Sequence, residues 1–489
     1  MPHESRLAAL RRPWFRSLVL LVVAGCAPGG YAGATTAQAP AATAAPSVDI
    51  PRIAVERYTL PNGLTVLLSV DRSAPVVAVD VWYHVGSKNE KVGRTGFAHL
   101  FEHVMFEGTQ HIPDGEHLRI VEEAGGDING TTSLDRTNFY DVVPVNELET
   151  VLWLESDRMG FLLPALTAAK LDGQREVVKN ERRERYEQPA FGAEPLVLSA
   201  AIYPTGHPYS WPTIGSMADL QAATLDDVKE FFRQYYGPNN ATLAIVGDID
   251  VAATKALIQK YFGAIPRGPA VSRPVVRPAT LAAEKRLVLE DPNSRLPKIT
   301  IAWPTVGRDS ADAFALGALA EVFTQDRTSR LTRALVYDKQ LATSVSAFQG
   351  SDHLAGEFYL SITPRAGSSL TAIEALVDSV VATVVAAPPT DREVQRFKNY
   401  VAVGAVTGLQ SVLGKAETVA DGQTFFGDPL HYVAETRGEL AVTAADVHRV
   451  ARRYLTRGRV VLSMVPAGKL DLISKPDLPY VNVTPTIVP

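Results

Sequence analysis

Apolar and polar positions alternate, or run apolar at strand length, over Val55–Leu60, Leu64–Val70 and Val76–His84. Pro61-Asn62-Gly63 between the first two predicts a hairpin turn. Helical spacing follows over Thr95–Phe106, Glu116–Ala124, Glu147–Met159, a long charged stretch near Ala168–Gln188, and Leu225–Tyr236. Ala241–Val246 predicts a strand and Ala252–Phe262 a helix. Residues 264–285 hold four prolines and few periodic apolar positions, which predicts a linker. The pattern then restarts. Strands are expected at Arg286–Leu289, Lys298–Trp303, Ser344–Phe348 and Glu357–Thr363, and helices at Ala311–Phe323 and Ser329–Val336. Three further helices are expected up to about Tyr454, and Arg459–Val465 closes the pattern as Ala241–Val246 closes the first. The order of elements recurs without clear sequence identity, so a duplicated α+β fold is expected. It comprises two homologous domains, each a mostly antiparallel sheet with helices packed on one face.

Composition narrows the classes. The chain has 489 residues, 46% hydrophobic and 21% charged, as globular proteins do. A disordered chain, a collagen-like fibre and a multi-span membrane protein are excluded. A net charge of −5 gives no basic stripe for nucleic acid. One cysteine precludes an internal disulfide.

The N-terminus reads as an address. Arg6, Arg11, Arg12 and Arg16 precede a short apolar run, Leu18–Ala24, and then Gly25-Cys26. Val23-Ala24-Gly25-Cys26 resembles the lipobox of bacterial lipoproteins, in which cleavage leaves an acylated cysteine. The rival is an ordinary signal cleaved after Ala37-Gln38-Ala39, which Pro40 disfavours. The lipobox implies a bacterial cell envelope, a periplasmic location and a lipid anchor, and Ala27 favours the outer membrane. Boundaries follow: signal 1–25, flexible tether 26–52, N-terminal domain 53–263, linker 264–285, C-terminal domain 286–470 and tail 471–489.

The chemistry concentrates in His99-Leu100-Phe101-Glu102-His103. On a helix, His99 and His103 stand one turn apart on one face, and Glu102 lies close to it. Two imidazoles so placed can take adjacent corners of a zinc tetrahedron. Zinc lowers the pKa of a water toward about 7, and a carboxylate that is not a ligand can accept its proton. A third protein ligand is required, and the residues alone do not choose among Glu176, Glu181 and Glu184 on the long charged helix.

The stretch GFAHLFEHVMFEGT, followed 78 residues after His103 by the last glutamate of REVVKNE, resembles the pitrilysin/insulinase family of zinc metallopeptidases, which includes the mitochondrial processing peptidases. The resemblance covers about residues 53–465. It implies one zinc per chain, held by His99, His103 and Glu181, with Glu102 as general base. It also implies a fold that forms half of a peptidase chamber. Gln174 stands where the family often has a second acidic residue, and it is expected to hydrogen-bond a ligand. The stretch around Asn129, Gly130 and Thr131, two strands joined by a polar turn, matches the family's edge strand that pairs with extended peptide substrate.

The second half has no such zinc motif, as in the family's inactive repeat. At the positions of an arginine and a tyrosine that many members use to bind the substrate carbonyl, this chain has Val336 and Thr343. A dimer is therefore expected, and a heterodimer whose partner supplies the Arg/Tyr pair is weighed against Arg333 and Tyr337 serving nearby. A non-catalytic assembly subunit is the rival function, which an intact Glu102 opposes. His84, His111, His117 and His207 are read as structural or surface residues, and Tyr203, Tyr209 and Trp211 as an aromatic loop with no assigned role.

Overall fold

The computed structural model describes residues 49–308 and 310–484. The signal, the lipobox and most of the tether lie outside the described residues.

The first half runs β1 (Glu56–Thr59), β2 (Thr65–Val70), β3 (Val76–Tyr83), α1 (Phe97–Val104), α2 (Glu116–Glu123), β4 (Asp127–Thr132), β5 (Thr137–Pro144), α3 (Leu148–Ala165), α4 (Ala168–Arg182), α5 (Glu194–Ile202), α6 (Met217–Ala222), α7 (Leu225–Tyr235), β6 (Ala241–Gly247) and α8 (Val251–Phe262). The second runs β7 (Lys285–Asp291), β8 (Lys298–Thr305), α9 (Ala311–Thr324), β9 (Ala342–Ser351), β10 (Gly356–Pro364), α10 (Leu370–Ala386), α11 (Asp391–Thr407), α12 (Val412–Phe426), α13 (His431–Ala441), α14 (Ala444–Tyr454), β11 (Val460–Pro466) and β12 (Val481–Val483).

Each half builds a six-stranded mixed sheet, in the orders β1-β2-β6-β3-β5-β4 and β12-β7-β11-β8-β10-β9. From β2 and β7 onward the orders correspond strand for strand. The pairs β2–β6 and β7–β11 are parallel, and the three pairs that follow in each sheet are antiparallel. The duplicated α+β fold is thus present. β12, from the expected tail, pairs parallel with β7 and fills the place that β1 holds in the first sheet.

Three expectations change. Five helices rather than three separate β10 from β11. The stretch expected as a helix at Ser329–Val336 is largely a π-helical turn, Thr332–Asp338. Helices also cover both faces of each sheet. One face of the first sheet packs on its own helices through Leu100, Phe101, Val104, Leu152, Phe232 and their neighbours. Its other face, bearing Leu67, Ala78, Trp82, Ala244 and Val246, is closed by Val412, Ala416, Val419 and Ala420 of α12. Reciprocally, Val197, Ala201 and Ile202 of α5 pack on Leu287, Leu289, Ala302, Leu462 and Met464 of the second sheet. Each half thus lends one helix to the other, and the two halves share core. Among the described residues no single helix is long and apolar enough to cross a membrane.

Candidate metal centre

Helix α1 turns Phe97, Leu100, Phe101 and Val104 into the core, where Phe101 stacks on Tyr236. That orientation leaves His99, Glu102 and His103 on the opposite side. The helix begins at Gly96 (φ 88°), which has no side chain to cap it. The cap comes instead from Glu90, whose carboxyl oxygens accept the N–H of Gly96 (3.0 Å) and of Ala98 (2.8 Å). Burial pushes Glu90 up to about 8 in spite of these two donors.

Helix α4 is capped by Thr167, whose side chain accepts from Lys170 N, and delivers Glu181 one residue before its end at Arg182. His103 Nε2 lies 3.1 Å from Glu181 Oε2, and His99 Nε2 lies 3.7 Å from Oε1. One ligand atom from each of the three residues falls within 4.8 Å of the others. Helix α4 continues into a π-helical turn, Arg183–Glu187, which brings Arg185 Nη1 to 2.6 Å from Glu181 Oε1. Burial lowers His99 below the ordinary histidine value, more than the neighbouring carboxylates raise it. Burial acts in the opposite direction on Glu181, but the His103 hydrogen bond and the neighbouring His99, His103 and Arg185 side chains outweigh it and hold the carboxyl below its usual range. Neutral imidazole and ionised carboxylate are the forms that ligate zinc. Two imidazole nitrogens and one carboxylate oxygen, partly buried, make a donor set that fits a zinc ion with an open fourth position.

Glu102 stands beside this group. Its Oε2 accepts from Thr132 Oγ1 at 2.6 Å, from the end of edge strand β4. A Cβ built on Gly130 would lie 3.1 Å from Glu102 Cγ and equally close to Phe106 and Phe139, so a glycine lets the strand approach the helix. Side chains alternate along a strand. Gly130 and Thr132 therefore face Glu102, and Asn129 and Thr131 face away from it. Asn129 Oδ1 accepts from Gly130 N, Thr131 Oγ1 donates to Asn138 Oδ1, and Arg136 donates to the Thr131 carbonyl. Of the three expected strand residues, Gly130 alone borders the base. Thr132, absent from the residues expected from sequence, touches it, and the two-residue period counted from Gly130 would have found it. Gln174 is a further correction. Its amide donates to Glu107, a carboxyl four residues beyond His103, and not to a member of the triad.

The segment between α5 and α7, which includes α6, ties α1 to α4. Asp219 Oδ2 accepts from Thr95 N (2.9 Å) and Thr95 Oγ1 (2.6 Å), and Ser216 N donates to Thr95 Oγ1. From the other side, Arg182 donates to the Gly215 carbonyl, and Arg175 to the carbonyls of Leu220 and Ala223. Gly96 and Gly215 cross with their backbones in contact. A Cβ on Gly215 would sit 2.4 Å from Gly96 Cα. This brace sets the separation of the helices that carry the triad.

A second cluster, His117, Asp141 and Glu155, is wholly buried. Its cation is already present. Arg158 Nη2 lies 2.9 Å from His117 Nε2 and 3.3 Å from Glu155, and its guanidinium stacks on Phe106 and Phe139. His84 is buried and held down at about 2 by that burial and by Lys88 and Arg273. His111 pairs with Asp157, and His207 stacks on Tyr203. In the second half, Val336 lies on the π-helical turn with Arg333 and the exposed Tyr337, and Thr343 Oγ1 donates to the Thr363 carbonyl.

Comparison with known proteins agrees with this architecture. Residues 65–209 match the family model described as insulinase (peptidase family M16), and residues 222–401 match the peptidase M16 inactive domain. The chain is 30% identical over 405 residues to the zinc protease PqqE of Helicobacter pylori, covering 82% of this chain and 90% of that protein. It is 24% identical to the mitochondrial-processing peptidase subunit beta of Lentinula edodes, covering 82% and 87%. A crystal structure of a protease from Helicobacter pylori superposes with a TM-score of 0.78 at 26% identity, covering 85% of this chain and all of that one. The chain belongs to the insulinase family of peptidases, M16, with an insulinase-type first half and an inactive-type second half.

Proposed function

We propose that this protein is a zinc-dependent endopeptidase that cleaves peptides or unfolded segments bound in extended form along β4. The observation that carries the reading is the convergence of His99 Nε2, His103 Nε2 and a Glu181 oxygen, with Glu102 beside them at the edge of a sheet. His99, His103 and Glu181 would hold the ion. A zinc ion there supplies Lewis-acid polarisation and brings the pKa of a water toward about 7. Glu102 takes the proton of the attacking water and passes it to the leaving amine. Thr132 holds the Glu102 carboxylate in place through one hydrogen bond. The free edge of β4 accepts the substrate backbone, with main-chain hydrogen bonds giving affinity. The small Gly130 lets that backbone lie close to the base.

Hydrolysis of a quenched fluorescent peptide library by the zinc-loaded chain, with Glu102→Gln as control, tests this reading. Val336 and Thr343 favour a second form of it, in which a partner subunit of the same fold supplies an Arg/Tyr pair. Activity that appears only on adding such a subunit supports that form, and full activity of a homodimer removes it. Export and acylation at Cys26 complete the proposal and place the enzyme in the bacterial envelope, with the outer membrane favoured. A lipid adduct on Cys26 in the mass of the mature N-terminal peptide tests that part.

A further inference from the structure

The aromatic loop at residues 203–211 and the buried lysine beside it have no part in the zinc chemistry, yet they meet at the end of the candidate substrate strand. The β4–β5 turn closes through Ser133 N on the Arg136 carbonyl, and the β9–β10 turn through Asp352 N on the Ala355 carbonyl. These are the edge hairpins of the two sheets, and their tips touch. Asp135, in the first tip, accepts the Lys88 ammonium at 2.9 Å and the Tyr209 hydroxyl at 2.6 Å on Oδ1. Its Oδ2 accepts the backbone N–H of His353, in the second tip, at 2.8 Å. Tyr209 Oη in turn accepts from Leu354 N at 3.0 Å. Lys88 and Ser87 also donate their backbone N–H to the carbonyls of Leu134 and Ser133. Lys88, Asp135 and Tyr209 are 3%, 5% and 1% exposed.

An edge strand is held by hydrogen bonds on one side only, and its free side is available for pairing. β4 pairs with β5 alone. Its position beside Glu102 depends on what fixes the rest of the hairpin. A buried ion pair is a poor source of net stability, but leaving either charge unpaired is costly, so each partner restricts where the other can sit. We propose that Asp135, Lys88 and Tyr209 form a latch through which the second half holds the β4–β5 hairpin in the position that receives substrate. Asp135 and Tyr209 are then positioning residues for substrate binding. This inference rests on the reading of β4 as the substrate strand.

Tyr209→Phe is the gentlest test, since it removes one hydroxyl and keeps the ring. Tyr203→Phe is the control. Tyr203 donates to Glu357 of β10 at 2.5 Å, so it also joins the halves without touching the hairpin tip. Hydrogen exchange is measured on the full zinc-loaded chain over residues 127–132, together with zinc content and peptide kinetics. Tyr209→Phe removes two buried hydrogen bonds, the donation to Asp135 and the acceptance from Leu354 N, each corresponding to about a fivefold change. Tyr209→Phe is expected to speed exchange in β4 by at least about fivefold and up to about 25-fold, and to raise KM by about as much, with kcat within about twofold and zinc content unchanged. Tyr203→Phe is expected to do neither. Unchanged β4 exchange in Tyr209→Phe, or equal changes in both variants, overturns the latch. Faster exchange with an unchanged KM overturns its role in substrate positioning. An inactive zinc-loaded wild type counts against the peptidase reading, and the exchange comparison still decides the latch.

Discussion

Gly215→Ala probes the brace between the two helices of the metal centre. An alanine Cβ at this position would lie 2.4 Å from Gly96 Cα and 2.5 Å from Gly96 N. Ordinary carbon contacts begin at roughly 3.5 Å, so the two backbones must part by about 1 Å. Gly96 is the residue from which α1 springs, and Gly215 is anchored to α4 through Arg182. The separation is therefore passed to His99 and His103 on one side and Glu181 on the other. Metal–ligand distances tolerate only about 0.2 Å, so a shift several times larger splits the donor set. Zinc affinity should fall by about 100-fold, at the upper end of what outer-shell changes do to metal sites. The assay is zinc competition against a chromophoric chelator, with thermal melting to confirm folding. Gly215 has a φ of 71°, so alanine also carries a backbone penalty. Gly115→Ala controls for this, because Gly115 has a φ of 77° and an added methyl there would meet nothing within 4 Å. Wild-type zinc affinity in Gly215→Ala, or equal losses in both variants, would refute the brace.

Further outcomes follow from the same geometry. Thr132→Val should lower kcat about fivefold with little change in KM, since it removes the Thr132 hydrogen bond that orients Glu102. Burial alone would raise the carboxyl of Glu374, but hydrogen bonds from Arg286, Lys475 and Ser474 hold it at about 2. Its contribution to stability, about 2 kcal/mol after allowing for solvent screening, is present above pH 4.5 and lost as the pH falls toward 2. Glu374→Gln should therefore lower the melting temperature at pH 7 by more than at pH 2.5, and an equal effect at both would contradict the assignment. The buried Glu155 already faces Arg158, so Glu155→Gln should leave the zinc content of the purified chain unchanged, as read by elemental analysis.

The legible parts of the molecule were those whose signal is local. His99, Glu102 and His103 sit within one helical turn, and the stretches that form β1 to β3 alternate or run apolar over six or more residues around a Pro-Asn-Gly turn. Helices α5 and α12 were not legible, because each is packed between a sheet of the other half and its own surroundings and so lacks a clear polar face. Strand β12 has only three residues and gains its identity from β7, nearly two hundred positions earlier. The choice of Glu181 over Glu176 and Glu184 needed the family resemblance. In the structure Glu176 pairs with Lys179 and Glu184 with Asn180, while Glu181 turns to the histidines. Asp219 reaches Thr95 across 124 positions and Gly96 meets Gly215 across a similar span, while Glu90 caps α1 from the irregular loop just before it, and no periodicity marks such contacts.

Everything proposed for the chemistry turns on Glu102 acting as a base beside a zinc held by His99, His103 and Glu181. Zinc content measured together with peptide hydrolysis, for the wild type, Glu102→Gln and Glu181→Gln, addresses it without intermediaries. Glu102→Gln is expected to keep one zinc per chain and lose cleavage, and Glu181→Gln to lose both. Cleavage that survives in Glu102→Gln, or full zinc content in Glu181→Gln, would contradict that arrangement.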